Sequence, residues 1–247
     1  MCETKAFTKV NPGMDTKANI IDFDPTKCIV CGKCAEVCST ESCKLIGKEY
    51  TADELIDELN RDMIFYEESG GGVTFSGGEP LLDADFVRDV ANEYKKKGIS
   101  TALETCGQAS WNSFNRVMAV IDWFLYDLKF VDEEKHRRYC GHTNEQILSN
   151  LIKLCESNEG KIIVRIPIIP GINDSEEELK AKGKFLKQRK HRIHEVHLLP
   201  YHNLGLVKYD NMGIKNKMES LVPPDSKYMK KITEILGNFD LTIRIGG

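Results

Sequence analysis

Ser69-Gly-Gly-Gly-Val-Thr-Phe-Ser-Gly-Gly-Glu-Pro80 joins a strand signal to a glycine-rich turn, and strand signals recur along the rest of the chain. Val73 to Phe75 reads as a short strand, and Ser76-Gly-Gly-Glu79-Pro80 as the turn that ends it. Working outward, five further apolar runs read as strands: Thr101 to Glu104, Trp123 to Leu128, Lys161 to Ile169, Glu195 to Leu199, and Leu241 to Ile245. Helical patterns separate them. Thr51-Ala-Asp-Glu54 is a capping box opening an amphipathic helix through Asn60, and Ser175-Glu-Glu-Glu178 is a second. Asp83 to Lys97 closes at Gly98, Glu145 to Cys155 follows Thr143-Asn144, and Asp225 to Leu236 stops at Gly237. Strand, helix and strand at this spacing predict parallel βα units. The Lys-rich stretch from Lys180 to His191 reads as a solvated helix face.

In parallel α/β architectures the loops at the C-terminal ends of strands converge on one face, and chemistry gathers there. The unusual residues of this chain fall at those ends: Ser76 to Pro80, Glu104-Thr-Cys-Gly107, Asp127-Leu128-Lys129, Arg165 to Gly171, and Pro200-Tyr-His202-Asn203. One active-site face is expected. Glu79, Asp127 and His202 alone would suit acid/base hydrolysis, a reading that leaves the cysteines unexplained.

The 247 residues carry a formal charge of −4, which gives no footprint for nucleic acid or an anionic membrane. No apolar run could span a bilayer, so the chain reads as cytoplasmic, with a protein or small-molecule partner. Nine cysteines, four of them in one short run, suit metal thiolates in a reducing compartment better than disulfides. Residues 1–48 lack periodicity and read as a small ferredoxin-like module held by a cluster; residues 49–247 read as the α/β domain.

Cys28-x-x-Cys31-x-x-Cys34-x-x-x-Cys38 has the bacterial ferredoxin spacing for a 4Fe–4S cluster, with Ser39 where a proline usually follows. Zinc is the competing metal. Cys2 fits two schemes. Either it completes a cluster with Cys28, Cys31 and Cys34, as the last cysteine of a preceding run would, leaving Cys38 pointing at a cluster whose other ligands are absent from this chain, or Cys28 to Cys38 share one cluster without it. Cys43 reads as a small buried apolar residue, and Cys106, Cys140 and Cys155 as ordinary packing.

Taken together, Ser69 to Pro80, Glu104-Thr-Cys-Gly107, Tyr126-Asp-Leu-Lys129, Ile169-Pro-Gly171 and Leu199-Pro-Tyr-His202 resemble the glycyl radical enzyme activating enzymes, of the radical S-adenosylmethionine superfamily. The likeness runs from Cys2 to the C-terminal glycines and is nearest to members with a ferredoxin-like insert. It implies a partial TIM-like (β/α) barrel, a 4Fe–4S cluster, S-adenosylmethionine, a glycyl radical enzyme as protein substrate, and a flavodoxin or ferredoxin-type reductant. It also implies roles. Gly77, Gly78 and Glu79 receive the cofactor's amino group; Asp127, Leu128 and Lys129 lie at its carboxylate; His202 meets the adenosine; Glu104 and Thr105 resemble a cation-coordinating corner; and Arg165 is a carboxylate clamp. The superfamily binds its catalytic cluster through Cys-x-x-x-Cys-x-x-Cys after a first barrel strand, and the sequence contains no such spacing. The chain therefore reads as lacking that strand, with an open sheet edge and poor solubility, and as unable to cleave the cofactor. The alternative is a non-enzymatic 4Fe–4S electron-transfer or docking protein.

Overall fold

A computed structural model of the chain describes residues 2–10, 20–205, 209, 215, 218 and 220–246. They form two compact units divided between Thr51 and Ala52. In the smaller, β1 (Phe7–Val10) and β2 (Ile20–Phe23) pair antiparallel, with the rings of Phe7 and Phe23 stacked at 4.7 Å. The cysteine run follows on a turn, Pro25–Lys27, and a single helical turn, α1 (Lys33–Glu36). Among the described residues of this unit only Ala6 is buried, while Ile29, Val30, Val37 and Ile46 are exposed. So little buried apolar surface does not offset the entropy of ordering the segment, and something other than a core must hold it.

The larger unit starts with α2 (Ala52–Leu59) and α3 (Met63–Ser69), then β3 (Gly72–Phe75), α4 (Ala84–Lys96), β4 (Ser100–Thr105), α5 (Trp111–Val117) and β5 (Trp123–Asp127). It continues with α6 (Glu133–Cys140), α7 (Glu145–Ser157), β6 (Lys161–Ile168), α8 (Glu176–Lys187), β7 (Ile193–Pro200), α9 (Ser226–Gly237) and β8 (Ile243–Ile245). β3 to β8 make one sheet in chain order, every neighbouring pair parallel. That is the partial TIM-like barrel expected from the sequence, and all six strand runs lie where the apolar pattern put them. At the first pairing a side chain is impossible at Gly72, since a Cβ there would stand 1.8 Å from the Ser100 carbonyl oxygen.

Strand alternation sorts the two faces of the sheet. Leu103, Phe124, Tyr126, Val164, Ile166, Val196 and Leu198 are fully buried in the core with Val90, Ala91 and Tyr94 of α4 and Leu151 and Leu154 of α7. Glu104, Asp127, Arg165 and His197 occupy alternate positions, on the opposite face. The five helices with capping or periodic signals form. The sequence pattern missed α3, α5, α6 and the β1–β2 hairpin. In α6, Glu133-Glu-Lys-His-Arg-Arg-Tyr-Cys140 buries only His136 and has no apolar stripe to reveal it. Its ends are set instead by Asp132, whose side chain accepts from Lys135 N at 2.8 Å, and by Gly141 in the left-handed region.

One expectation from the sequence does not hold. The Lys180 to His191 stretch is not wholly a solvated face, because Lys182 is fully buried. Its ammonium donates to the Asn173 carbonyl at 2.8 Å and lies 3.7 Å from Glu178, which itself accepts from Val131 N. Asn173 in turn accepts from Ile169 N and donates to the carbonyls of Lys129 and Pro167. A buried polar web thus ties the loops after β5 and β6 to the start of α8.

Candidate functional site

The turn after β3 places three elements of the site. Gly77 has φ +131°, a conformation that glycine adopts without strain, and a Cβ at Gly77 or Gly78 would meet nothing within 4 Å. The backbone there is an open ledge. Beside it the Glu79 carboxylate collects donors: Leu81 N at 3.2 Å, Thr105 Oγ1 at 2.8 and 2.9 Å, Cys106 N at 3.0 Å and Cys106 Sγ at 3.2 Å. Together these donors fix the carboxylate in one orientation. The residues that supply them are fixed from behind. Asn150 on α7 donates to the carbonyls of Gly107 and Ala109, and a Cβ at Gly107 would strike the Tyr126 hydroxyl at 1.8 Å. Cys106 is therefore a site residue, against the expectation of ordinary packing. Burial and the neighbouring Glu79 push its thiol up, keeping it protonated.

The second group runs along the face of the sheet. Register sets Asp127 beside Arg165, Arg165 beside His197 and His197 beside Arg244. Arg165 Nε donates to Asp127 Oδ1 at 2.8 Å, its Nη1 reaches Glu104, and Ser76 Oγ donates to the other Glu104 oxygen at 2.6 Å. Burial alone would raise the Glu104 carboxyl, but Ser76 and Arg165 outweigh it and hold it below the usual range. Burial likewise opposes the Arg165 charge, and Asp127 and Glu104 restore it. The guanidinium fork thus holds two of the chain's own carboxylates. Lys129 Nζ stands 3.7 Å from Asp127. Leu128 is fully buried, and its contribution is a backbone N–H to the Arg165 carbonyl at 2.8 Å.

Gly77, Gly78, Glu79, Glu104, Asp127, Lys129 and Arg165 thus all lie at or near one edge of the sheet, while His202 is exposed just past β7, with no link to them among the described contacts. Sequence reading missed Glu195 and His197, joined at 2.6 Å with Glu195 held below its usual range by His197. The signal was present as polar residues two apart in a strand that is apolar apart from them and the exposed His194.

In the small unit the backbone bends around the sulfurs. Lys5, Val30 and Glu41 are non-glycine residues at φ +56°, +54° and +52°, each within three positions of a cysteine. A β-branched residue there is costly and marks a functional constraint. The turns aim donors at sulfur: Val30 N lies 3.4 Å from Cys28 Sγ. Cys2 and Cys38 sit in matching loops. Each contacts the hydroxyl of the threonine two residues on, Thr4 at 3.5 Å and Thr40 at 3.6 Å, and accepts from backbone N–H groups two, four and five residues on. These bonds, the threonine's first, lower both thiols, Cys2 to about 7. Donors converging on sulfur favour thiolate, the form that binds iron. Cys43 is not a buried apolar filler, the expectation from sequence; it is partly exposed, with its Sγ 3.4 Å from Cys34 Sγ.

Comparison with known proteins settles the family. The Radical SAM superfamily pattern matches residues 34–182 and the 4Fe-4S binding domain matches residues 21–42. The chain is 40% identical over 269 residues to the trans-4-hydroxy-L-proline dehydratase activating enzyme of Clostridioides difficile, covering 96% of this chain and 88% of that one. The chain belongs to the glycyl radical enzyme activating enzymes. It is also 37% identical to the isethionate sulfite-lyase activating enzyme of Oleidesulfovibrio alaskensis, over 90% of this chain and 70% of that one. Among solved structures, a domain of the pyruvate-formate lyase-activating enzyme from Bacteroides vulgatus superposes with a TM-score of 0.60 at 31% identity, over 72% of this chain and 99% of that one.

A 4Fe–4S cluster and S-adenosylmethionine are the cofactors of these activating enzymes. The residues present fit two of the groups. The open Gly77-Gly78 ledge beside the Glu79 carboxylate suits an ammonium-bearing ligand, and the thiols of the small unit, ringed by N–H donors, suit a cluster. They do not supply the ligands of the superfamily's catalytic cluster. The 247 residues contain no Cys-x-x-x-Cys-x-x-Cys, and the three cysteines of the larger unit are scattered: Cys106 at Glu79, Cys140 exposed at the end of α6, and Cys155 buried on α7. Among the described residues no helix is long and apolar enough to cross a membrane.

Proposed function

We propose that the sheet-edge residues form the S-adenosylmethionine seat of a glycyl radical enzyme activating enzyme and that residues 1–48 carry an auxiliary 4Fe–4S cluster. The observation that carries this reading is the Glu79 carboxylate, fixed by four donor groups of the chain beside a side-chain-free ledge. Glu79 receives the ammonium of the methionine moiety, and Gly77 and Gly78 let it approach the backbone. Lys129 faces its carboxylate. Arg165 orients Asp127 and Glu104 rather than clamping the ligand, since its fork is engaged by both. His202 serves the adenosine side. In the family, the bound cofactor supplies one-electron chemistry that ends with a hydrogen atom removed from a glycine of the partner enzyme. The protein's share is position, charge and exclusion of water.

The partner is a glycyl radical enzyme, the reductant a flavodoxin or ferredoxin-type protein, and the compartment the cytoplasm, which nine free thiols support. Binding is the direct test of the seat. Titration of the cluster-reconstituted chain with S-adenosylmethionine in a calorimeter is expected to show weak binding that Glu79→Gln abolishes; equal binding by both proteins would refute the seat. The 247-residue chain is expected to release no 5′-deoxyadenosine under dithionite, because it holds no ligands for the catalytic cluster. The ferredoxin-spaced cysteines Cys28 to Cys38 would equally serve a second reading, an electron-transfer or docking protein, and measurable release would exclude it.

A further inference from the structure

Cys43 stands five residues after Cys38, the place that Phe7 holds after Cys2. The two loops are otherwise built alike, down to the threonine and the left-handed residue at matching positions. In the first, the fifth residue turns an aromatic ring onto Phe23. In the second it is a thiol, whose Sγ donates to Cys34 Sγ at 3.4 Å while its backbone N–H points at Cys38 Sγ. Cys43 therefore lies against the Cys34 thiol of the cluster run, yet stands outside the ferredoxin spacing and outside the matched residues 21–42.

Thiolates that ligate one 4Fe–4S cube each bind a different iron, and the cube keeps them apart. Two sulfurs 3.4 Å apart address the same corner. We propose that Cys43 is an alternate ligand for the iron held by Cys34, able to take that corner when Cys34 leaves it. The proposal rests on the reading that the small unit carries the cluster. The exchange is not a redox step: the Cys43 S–H gives its proton to solvent and bonds to iron, the Cys34–iron bond breaks, and the departing thiolate takes up a proton, so the charge of the centre is unchanged. The segment that must adjust, Ser39 to Ser42, is exposed, with Thr40 and Ser42 bonded to each other at 2.8 Å rather than to a core.

Anaerobic reconstitution of the full chain, with iron and sulfide analysis and electron paramagnetic resonance of the reduced protein, tests this. Wild type is expected to hold one cluster. Cys34→Ala is expected to keep at least half of the wild-type iron with a shifted spectrum, Cys34→Ala/Cys43→Ala to fall to background, and Cys28→Ala to lose the cluster although Cys43 is intact. Equal iron in Cys34→Ala and the double variant, whether high or low, overturns the proposal. Cys43→Ala alone guards against a folding artefact: it should hold the full cluster but lose iron to a chelator several-fold faster than wild type, and an unchanged rate counts against the alternate ligand. A wild-type chain that takes up no iron overturns the cluster reading itself, and the proposal with it.

Discussion

In the small unit Ala6 is the one buried side chain among the described residues, whereas the sheet of the larger unit is backed by a continuous core from Val73 to Leu236. Both are built to position polar groups, and they do it by different physics. The larger unit sets Asp127, Arg165 and His197 by strand register, which the apolar face beneath them enforces. Among its described residues the small unit has no such face. Its order comes from left-handed turns at Lys5, Val30 and Glu41 and from N–H donors closing on sulfur, a geometry that metal must reward.

The contrast breaks most visibly if iron is removed. Chelation of the reconstituted chain is expected to abolish hydrogen-exchange protection across Phe7–Val10 and Ile20–Phe23 while leaving β3 to β8 protected. A metal-free hairpin that stays protected would show that the small unit carries its own stability. The converse insult is a cavity. Phe124→Ala removes a fully buried ring from β5 and should cost about 3–5 kcal/mol in denaturant unfolding without changing the iron content. A cost below about 1 kcal/mol, smaller than a typical core truncation, would contradict the core assignment.

The same contrast explains what the sequence disclosed. Strands such as Lys161–Ile168 show themselves because β-branched residues repeat where the sheet is buried, and the βα order follows from their spacing. The cysteine run shows itself because cluster geometry demands fixed local gaps. Hidden were features that depend on distant partners. Cys106 matters because Glu79, on another strand end, lies 3.2 Å away, and Cys43 because a nine-residue gap closes onto Cys34. Lys182 read as solvent-facing because its neighbours Lys180, Lys184 and Lys187 do face solvent; the folded contacts of Asn173 and Glu178 single it out.

Strand register in the larger unit holds its charges in fixed pairs. Arg165→Met would leave Glu104 and Asp127 facing each other's charge without a cation between them. Loss of charge-assisted bonds in a partly buried setting is worth about 2 kcal/mol, and the Glu104 carboxyl should rise from its depressed value. Carboxyl titration by carbon-13 resonance measures it directly. If Glu104 titrates identically in both proteins, Arg165 is not what holds it.

The smallest effect comes from the buried amine in the larger unit's polar web. Burial pushes the Lys182 ammonium down to about 8, with Glu178 pulling in the opposite direction. In the unfolded chain a lysine titrates near about 10.4. Between those values the unfolded chain binds more protons than the native one, so the contribution of this group to stability rises with pH from about 8 to about 10.4 and is flat below. Over the first pH unit above 8 the gain is about 1 kcal/mol, since the slope approaches about 1.4 kcal/mol per unit only once the native amine has lost its proton. The measurement is the difference in unfolding free energy between wild type and Lys182→Met across that window, which cancels the other lysines and the tyrosines. Wild type should gain on the variant as pH climbs past 8; a constant difference would mean that Lys182 keeps its charge inside the protein, and that a lysine walled in by Asn173, Glu178 and Phe130 is as well solvated there as in water.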